Sequence, residues 1–172
     1  RSRDVLLPVT PMFHVNSWGV PYAAIMLGTR LVLPGPHLRA EDLLDLMQLE
    51  PPTLALGVPT VWMGLIQAYE RGLEEQPGRW RLPPGMRSFV GGSAVPEALI
   101  AAIERRFLAE REPRALTSIH PVGLGDRGDR GVSRFAHEGM LKRIVCGTLV
   151  DSPRIEELAR ADRVEAYTLP QG

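Results

Sequence analysis

The chain has 172 residues, 44% of them hydrophobic, and its 20 Lys+Arg balance 20 Asp+Glu to a net charge of zero. That is enough chain for a core, and its charge balance excludes an electrostatic grip on nucleic acid or an anionic membrane while giving little protection against self-association. Cys146 is the single cysteine, so an intrachain disulfide is excluded; lying in Ile144-Val145-Cys146, it reads as a buried structural thiol. No secretory signal and no apolar run of membrane-spanning length is present, so the expected compartment is the cytoplasm.

In chain order, Val5 to Thr10 reads as a short buried strand stopped by Pro8 and Pro11. Ser17 to Leu27 reads as a helix with Pro21 in its first turn, ended by Gly28-Thr29. Arg30 to Leu33 is a strand closed by Pro34-Gly35-Pro36. Ala40 to Leu49 is the clearest helix: Leu43, Leu44, Leu46 and Met47 recur at helical spacing, and Glu41 and Asp42 sit where the helix dipole favours anions. Thr53 to Gly57 is strand-like, Pro59 to Arg71 helical, and Glu74 to Gly85 a polar, Pro- and Gly-rich loop. Ser88-Phe89-Val90 is a strand running into a glycine turn, and Pro96 opens a helix to Leu108 whose Leu99, Ile100, Ile103 and Phe107 face a core. After the charged stretch Glu110 to Arg114 come a weak strand (116–122), a glycine and charge loop (123–131), a helix over Val132 to Arg143, a strand over Ile144 to Cys146, a helix over Pro153 to Ala161 and a strand over Val164 to Leu169. The alternation predicts an α/β fold with a mainly parallel sheet and flanking helices.

Three short motifs in the first part carry chemistry. Pro11-Met12-Phe13-His14-Val15-Asn16-Ser17-Trp18 sets an imidazole between aromatics just after the first strand. By residue type alone, Phe13 and Trp18 are core side chains and His14 bonds locally. Gly57-Val58-Pro59-Thr60-Val61-Trp62 opens a helix. Gly91-Gly92-Ser93-Ala94, ahead of Val95-Pro96, is a glycine pair between strand and helix. Such a turn lets backbone approach a nucleotide and leaves amides for an anion, or is a tight turn with no ligand.

In this order, the three motifs resemble those of long-chain fatty-acyl-CoA synthetases, of the AMP-forming adenylating superfamily, over residues 1 to about 108. The resemblance implies that His14 and Trp18 flank the acyl group, with Trp18 gating a fatty-acid tunnel; an indole suits an apolar, closable channel. It implies that Val58, Pro59 and Thr60 help shape the acyl pocket and that Gly91, Gly92, Ser93 and Ala94 lie against the adenylate. Such enzymes use ATP with Mg and CoA to make acyl-CoA from a fatty acid. No cofactor is assigned to this chain itself; an acyl chain or adenylate is its expected ligand.

The same resemblance marks departures. The chain begins at Arg1 and reads as an internal stretch, with the family's phosphate loop expected before it. A Tyr-Gly-x-Thr-Glu motif, which in the family binds adenine, phosphate and magnesium, should follow Phe107; the chain reads Leu108-Ala109-Glu110-Arg111-Glu112-Pro113 instead. The family's ribose-binding Asp and catalytic Lys belong to later domains. Phosphate positioning and charge neutralisation dominate such chemistry, so no catalytic residue is assigned and no adenylation by this chain alone is expected.

In the second part, Gly123-Leu124-Gly125-Asp126-Arg127-Gly128 satisfies G-x-G-x-x-G, with Asp151 placed as a ribose-binding acid would be. Against a dinucleotide site, the loop runs on through Asp129-Arg130-Gly131 before any helix, and its aspartates would repel a pyrophosphate. His120 to Asp126, Phe135 to Arg143 and Glu165 to Gly172 together resemble the first half of an acyl-CoA:acetate/3-ketoacid CoA transferase, over about residues 115–172. In that family CoA passes through a glutamyl thioester whose glutamate would lie beyond Gly172, so Glu138 is read as a surface residue. His120, His137 and Glu138 lack ligand spacing, so no metal site is assigned. The expected organisation is a chimera: a synthetase-like segment (1–109), a junction (110–114) and a transferase-like segment (115–172), two partial domains together. The leading expectation is a piece related to fatty-acid activation without competence of its own, or a ligase completed by partner chains. The alternatives are a CoA-transferase-related piece and a folded module with no ligand.

Overall fold

Val5–Pro8 forms β1, whose Leu7 is fully buried. The computed structural model describes residues 3–111, 113–120 and 125–170. β1 lies between β2 (Arg30–Leu31) and β3 (Leu54–Gly57), and β4 (Arg87–Val90) follows β3, giving the order β2-β1-β3-β4 with every described pair parallel. The two central strands, β1 and β3, are short, apolar and largely buried, as suits the middle of a parallel sheet. The chain divides into two compact units, residues 1–95 and 96–172, and this sheet belongs to the first.

The helix expected from Ser17 to Leu27 is two pieces, α1 (Val15–Trp18) and α2 (Val20–Leu27), separated at Gly19. Pro21 sits in the first turn of α2, where its missing N–H costs nothing. Gly28, at φ 62°, closes α2 by donating its N–H to the carbonyls of Ala24 and Ile25. α3 (Ala40–Leu49) buries Leu43, Leu44 and Met47, the apolar face its spacing predicts. It packs on α4 (Pro59–Glu75), which runs four residues beyond Arg71. The loop after α4 supplies a core residue: Trp80 is buried, and its indole N–H donates to Asp45 at 2.6 Å. Its ring occupies the space a side chain at Gly72 would need, which accounts for a glycine inside a long helix.

The second unit opens with α5 (Glu97–Glu110) and holds a second parallel sheet, β5 (Leu116–Ile119), β6 (Leu141–Cys146) and β7 (Glu165–Thr168), in the order β5-β6-β7. α6 (Pro153–Arg160) joins β6 to β7. Val132, Ala136, Leu141, Ile144, Cys146, Ile155 and Val164 form its core. The predicted helix from Val132 to Arg143 does not form. A 3-10 turn over Gly131–Phe135 is followed by a tight reversal, and β6 already begins at Leu141. The reversal is local. His137 N–H donates to the Phe135 carbonyl, Met140 N–H donates to the His137 carbonyl, and Gly139 sits at φ 85°, a conformation that suits glycine and stops a helix. Pairing with strands on both sides then claims Lys142 and Arg143 for the sheet. The strand expected over 116–122 is described as far as Ile119; Pro121 and Val122 lie outside the described residues.

Candidate functional site

In a parallel sheet the loops leaving the carboxyl ends of the strands share one edge, where ligands of open α/β sheets bind. The segments after β1, β3 and β4 are the three motif segments of the first unit. The loop after β1 carries His14. His14 N–H donates to the Pro11 carbonyl at 2.9 Å, and the His14 carbonyl accepts from the amides of Ser17 and Trp18 at 2.9 Å, opening α1. Thr10 and Ser17, both buried, join their hydroxyls across the base of this loop and hold its ends together.

The segment after β3 begins with Val58, whose carbonyl accepts from the Val61 amide at 3.0 Å as α4 starts. The following proline is fully buried and Thr60 is exposed. Trp62, one turn into α4, donates its indole N–H to the Phe89 carbonyl of β4 at 3.3 Å. A side chain at Gly57 would stand 3.1 Å from that indole nitrogen, so Trp62 braces the ends of β3 and β4.

The turn after β4 meets the other two at Gly92. Its φ is +88°, and a Cβ there would lie 2.9 Å from His14 Cε1, 3.1 Å from His14 Nε2 and 3.3 Å from Val58 Cγ1. His14, Val58 and Gly92, 78 residues apart at the extremes, therefore form one notch. Gly91 donates its amide to the Gly57 carbonyl at 3.4 Å. Packing thus accounts for Gly92, where the space beside it is filled by imidazole, while the amide of Gly91 is already engaged. Ser93 and Ala94 are exposed just beyond. Phe13 and Trp18 are 86% and 68% exposed, so neither is a core side chain. Thr10, Ser17 and the bracing role of Trp62 carried no sequence signal, because each depends on a partner brought in by the fold.

In the second unit the G-x-G-x-x-G stretch is described from Gly125 onward; Gly123 and Leu124 lie outside the described residues. Gly125 packs directly on the Asp151 carbonyl, where a side chain has no room. Asp151 accepts from Arg127 Nε at 2.9 Å, and Asp126 accepts the Gly128 amide at 2.9 Å. These glycines and acids hold one loop against another. His137 contacts Glu104 of α5 at 2.9 Å, and Glu138 pairs on the surface with Arg163 at 3.3 Å. Cys146 is buried, and burial pushes its thiol above the ordinary range, which keeps it protonated and inert. Burial lowers the His120 imidazole, whose Nε2 lies 2.7 Å from the Ser118 hydroxyl. Among the described residues no three His, Cys, Asp or Glu side chains group as metal ligands, and no helix is long and apolar enough to cross a membrane.

The sequence that carries the three motifs matches a family. The model described as "AMP-binding enzyme" covers residues 1–115. The chain belongs to the AMP-binding enzyme family. The long-chain-fatty-acid–CoA ligase of Thermus thermophilus is 46% identical over 121 residues, 70% of this chain and 21% of the ligase. This family member also resembles a second kind of protein: the acetate CoA-transferase YdiF of Escherichia coli K12 is 45% identical over 82 residues, 48% of this chain and 15% of the transferase. A solved acyl-CoA transferase from Escherichia coli O157:H7, in a thioester complex with CoA, is 45% identical over 42% of this chain and 15% of its own, with a TM-score of 0.41. The chain spans about one fifth of the length of the ligases it matches. It is a chimera of acyl-CoA-ligase-like and CoA-transferase-like sequence.

Proposed function

We propose that the first unit is an acyl- and adenylate-binding piece of an acyl-CoA ligase, one that binds without completing adenylation by itself. The observation that carries this reading is the convergence of His14, Val58 and Gly92 at the carboxyl edge of a parallel sheet. His14 presents an imidazole edge beside the turn, and the exposed Phe13 and Trp18 on the adjoining loop and helix offer apolar area to an alkyl chain. Ser93 and Ala94 would face the adenylate at the rim of the notch, with Val58 and Thr60 on the acyl side and the buried Pro59 fixing the start of α4 beneath them. ATP supplies an activated phosphoryl centre when bound to a ligase, and the residues here fit only the acyl and adenosine ends of that chemistry. Glu110 ends α5 where the family resemblance implies a phosphate- and magnesium-binding segment, so no step is routed through the metal.

The test uses the whole chain and a non-hydrolysable acyl-sulfamoyl adenosine. Saturable binding is expected by calorimetry, with no acyl-AMP formed from ATP and palmitate by mass spectrometry. Gly92→Ala should abolish binding, because its Cβ would displace His14 and sit at a φ that costs an L-residue about 1–3 kcal/mol. Failure of the wild type to bind the analogue overturns the binding reading, and acyl-AMP production overturns its non-catalytic part. The 82-residue likeness to an acetate CoA-transferase supports a second reading, in which the second unit is a CoA-transferase-related piece acting in acyl-CoA metabolism; CoA binding that survives Gly92→Ala would favour it.

A further inference from the structure

We infer that α5 is bound into the second unit by a four-residue ionic clamp, and that the transferase-like stretch of the chain already includes this helix. Three independent observations carry it. First, the compact units divide between Val95 and Pro96, which leaves α5 wholly in the second. Second, a match of 82 residues in a chain of 172 cannot begin later than Gly91. The transferase likeness therefore reaches back through α5, which the AMP-binding match also includes.

The third observation is the clamp. Glu97 and Glu104 are seven residues apart, two helical turns, and so share one face of α5. Both meet the segment from Gly131 to His137. Arg134 Nε donates to Glu97 Oε1 at 2.5 Å and Arg134 Nη1 donates to Glu104 Oε2 at 2.6 Å. The remaining oxygens are also taken: Glu97 Oε2 accepts the Gly131 amide at 2.9 Å, and Glu104 Oε1 lies 2.9 Å from His137 Nε2. Every carboxylate oxygen thus has a partner. The His137 ring also stacks on Phe107, with centroids 5.9 Å apart, and Leu99, Ala102 and Phe107 are buried. Glu104 is only 12% exposed, so its charge is held out of water by the Arg134 and His137 contacts. A helix grafted from elsewhere has no reason to place two carboxylates in register with one guanidinium and one imidazole.

The test is native-state hydrogen exchange of the full chain, read by mass spectrometry. In rising urea, α5 amides should become exchangeable together with β6 amides, at urea concentrations distinct from those that open α3 and α4. Arg134→Gln should speed exchange in α5 and in 131–137 about tenfold, leaving α3 and α4 unchanged. Exchange of α5 in step with α4, or an α5 indifferent to Arg134→Gln, would overturn the inference. Should Arg134→Gln fail to fold, Glu97→Gln leaves the Glu104 contacts in place and should give the same pattern at smaller amplitude; no change in α5 would again overturn it.

Discussion

The two units hold their helices in different ways. In the first, α3 and α4 meet through apolar faces, with Leu43, Leu44, Met47, Leu65 and Ala68 buried. Its ion pairs lie at the surface, as in Arg39–Asp42 and Arg71–Glu41, where the arginines are 80% and 55% exposed. In the second, α5 buries apolar residues too but is also pinned through Glu104, a carboxylate only 12% exposed. Surface pairs contribute little because water and salt screen them, whereas a sheltered charge must keep its partner. Glu104 is therefore structural in a way that the surface pairs of either unit are not. α2 extends the contrast: it leaves Tyr22, Ile25 and Met26 more than 65% exposed, so its face contributes little to the first unit's core.

The largest effects should come from the cores. Leu7→Ala and Ile144→Ala each remove a fully buried side chain, at a cost of about 2–5 kcal/mol. Trp18, Trp62 and Trp80 all lie in the first unit, so a urea melt followed by fluorescence should shift for Leu7→Ala and not for Ile144→Ala. Circular dichroism, which sees both units, should shift for each. Equal fluorescence shifts would show that the units unfold as one and would dissolve the contrast.

An intermediate effect is expected from pH. The Arg134 guanidinium and then the Gly131 amide hold the Glu97 carboxyl below the ordinary range. Burial pushes Glu104 upward, but hydrogen bonds from His137 and Arg134 outweigh it and hold that carboxyl low as well. Both groups titrate lower in the folded chain, so the unfolded chain binds more protons as pH falls. Their stabilisation is complete above the unfolded carboxylate range and is lost as pH drops through the folded values. Whole-chain melts by circular dichroism should weaken on acidification below about pH 4, and Glu97→Gln combined with Glu104→Gln should flatten that dependence without moving the fluorescence midpoint. An unchanged slope in the double variant would show that other carboxylates govern acid unfolding.

The smallest effect should come from the surface of the first unit. Arg39→Gln removes a guanidinium bound to Asp42 at 2.9 Å but largely in water. No measurable change in the fluorescence midpoint is expected. A clear loss would mean that the first unit also relies on ion pairs.

Apolar spacing made α3 legible, with Leu43, Leu44 and Met47 inward as predicted, because its period needs no knowledge of neighbours. Pro59 and Pro96 likewise marked the starts of α4 and α5. The helix expected over Val132 to Arg143 failed because Gly139 takes a left-handed conformation and strand pairing outbid helical periodicity, which no local pattern records. Trp80 was hidden for the same reason: its segment looks polar, yet Gly72 and Asp45 receive its ring. At the candidate site, the motifs named His14, Val58 and Gly92. That they touch was decided by parallel strand order, which brings the loops after β1, β3 and β4 to one edge. The sequence by itself determined the α/β alternation, the starts of α3, α4, α5 and α6 and the two ancestries, since these reside in local spacing and short motifs. Only the tertiary structure decided where α5 belongs, because the allegiance of a helix is set by partners distant in the chain, here Arg134 and His137, and not by its own residues.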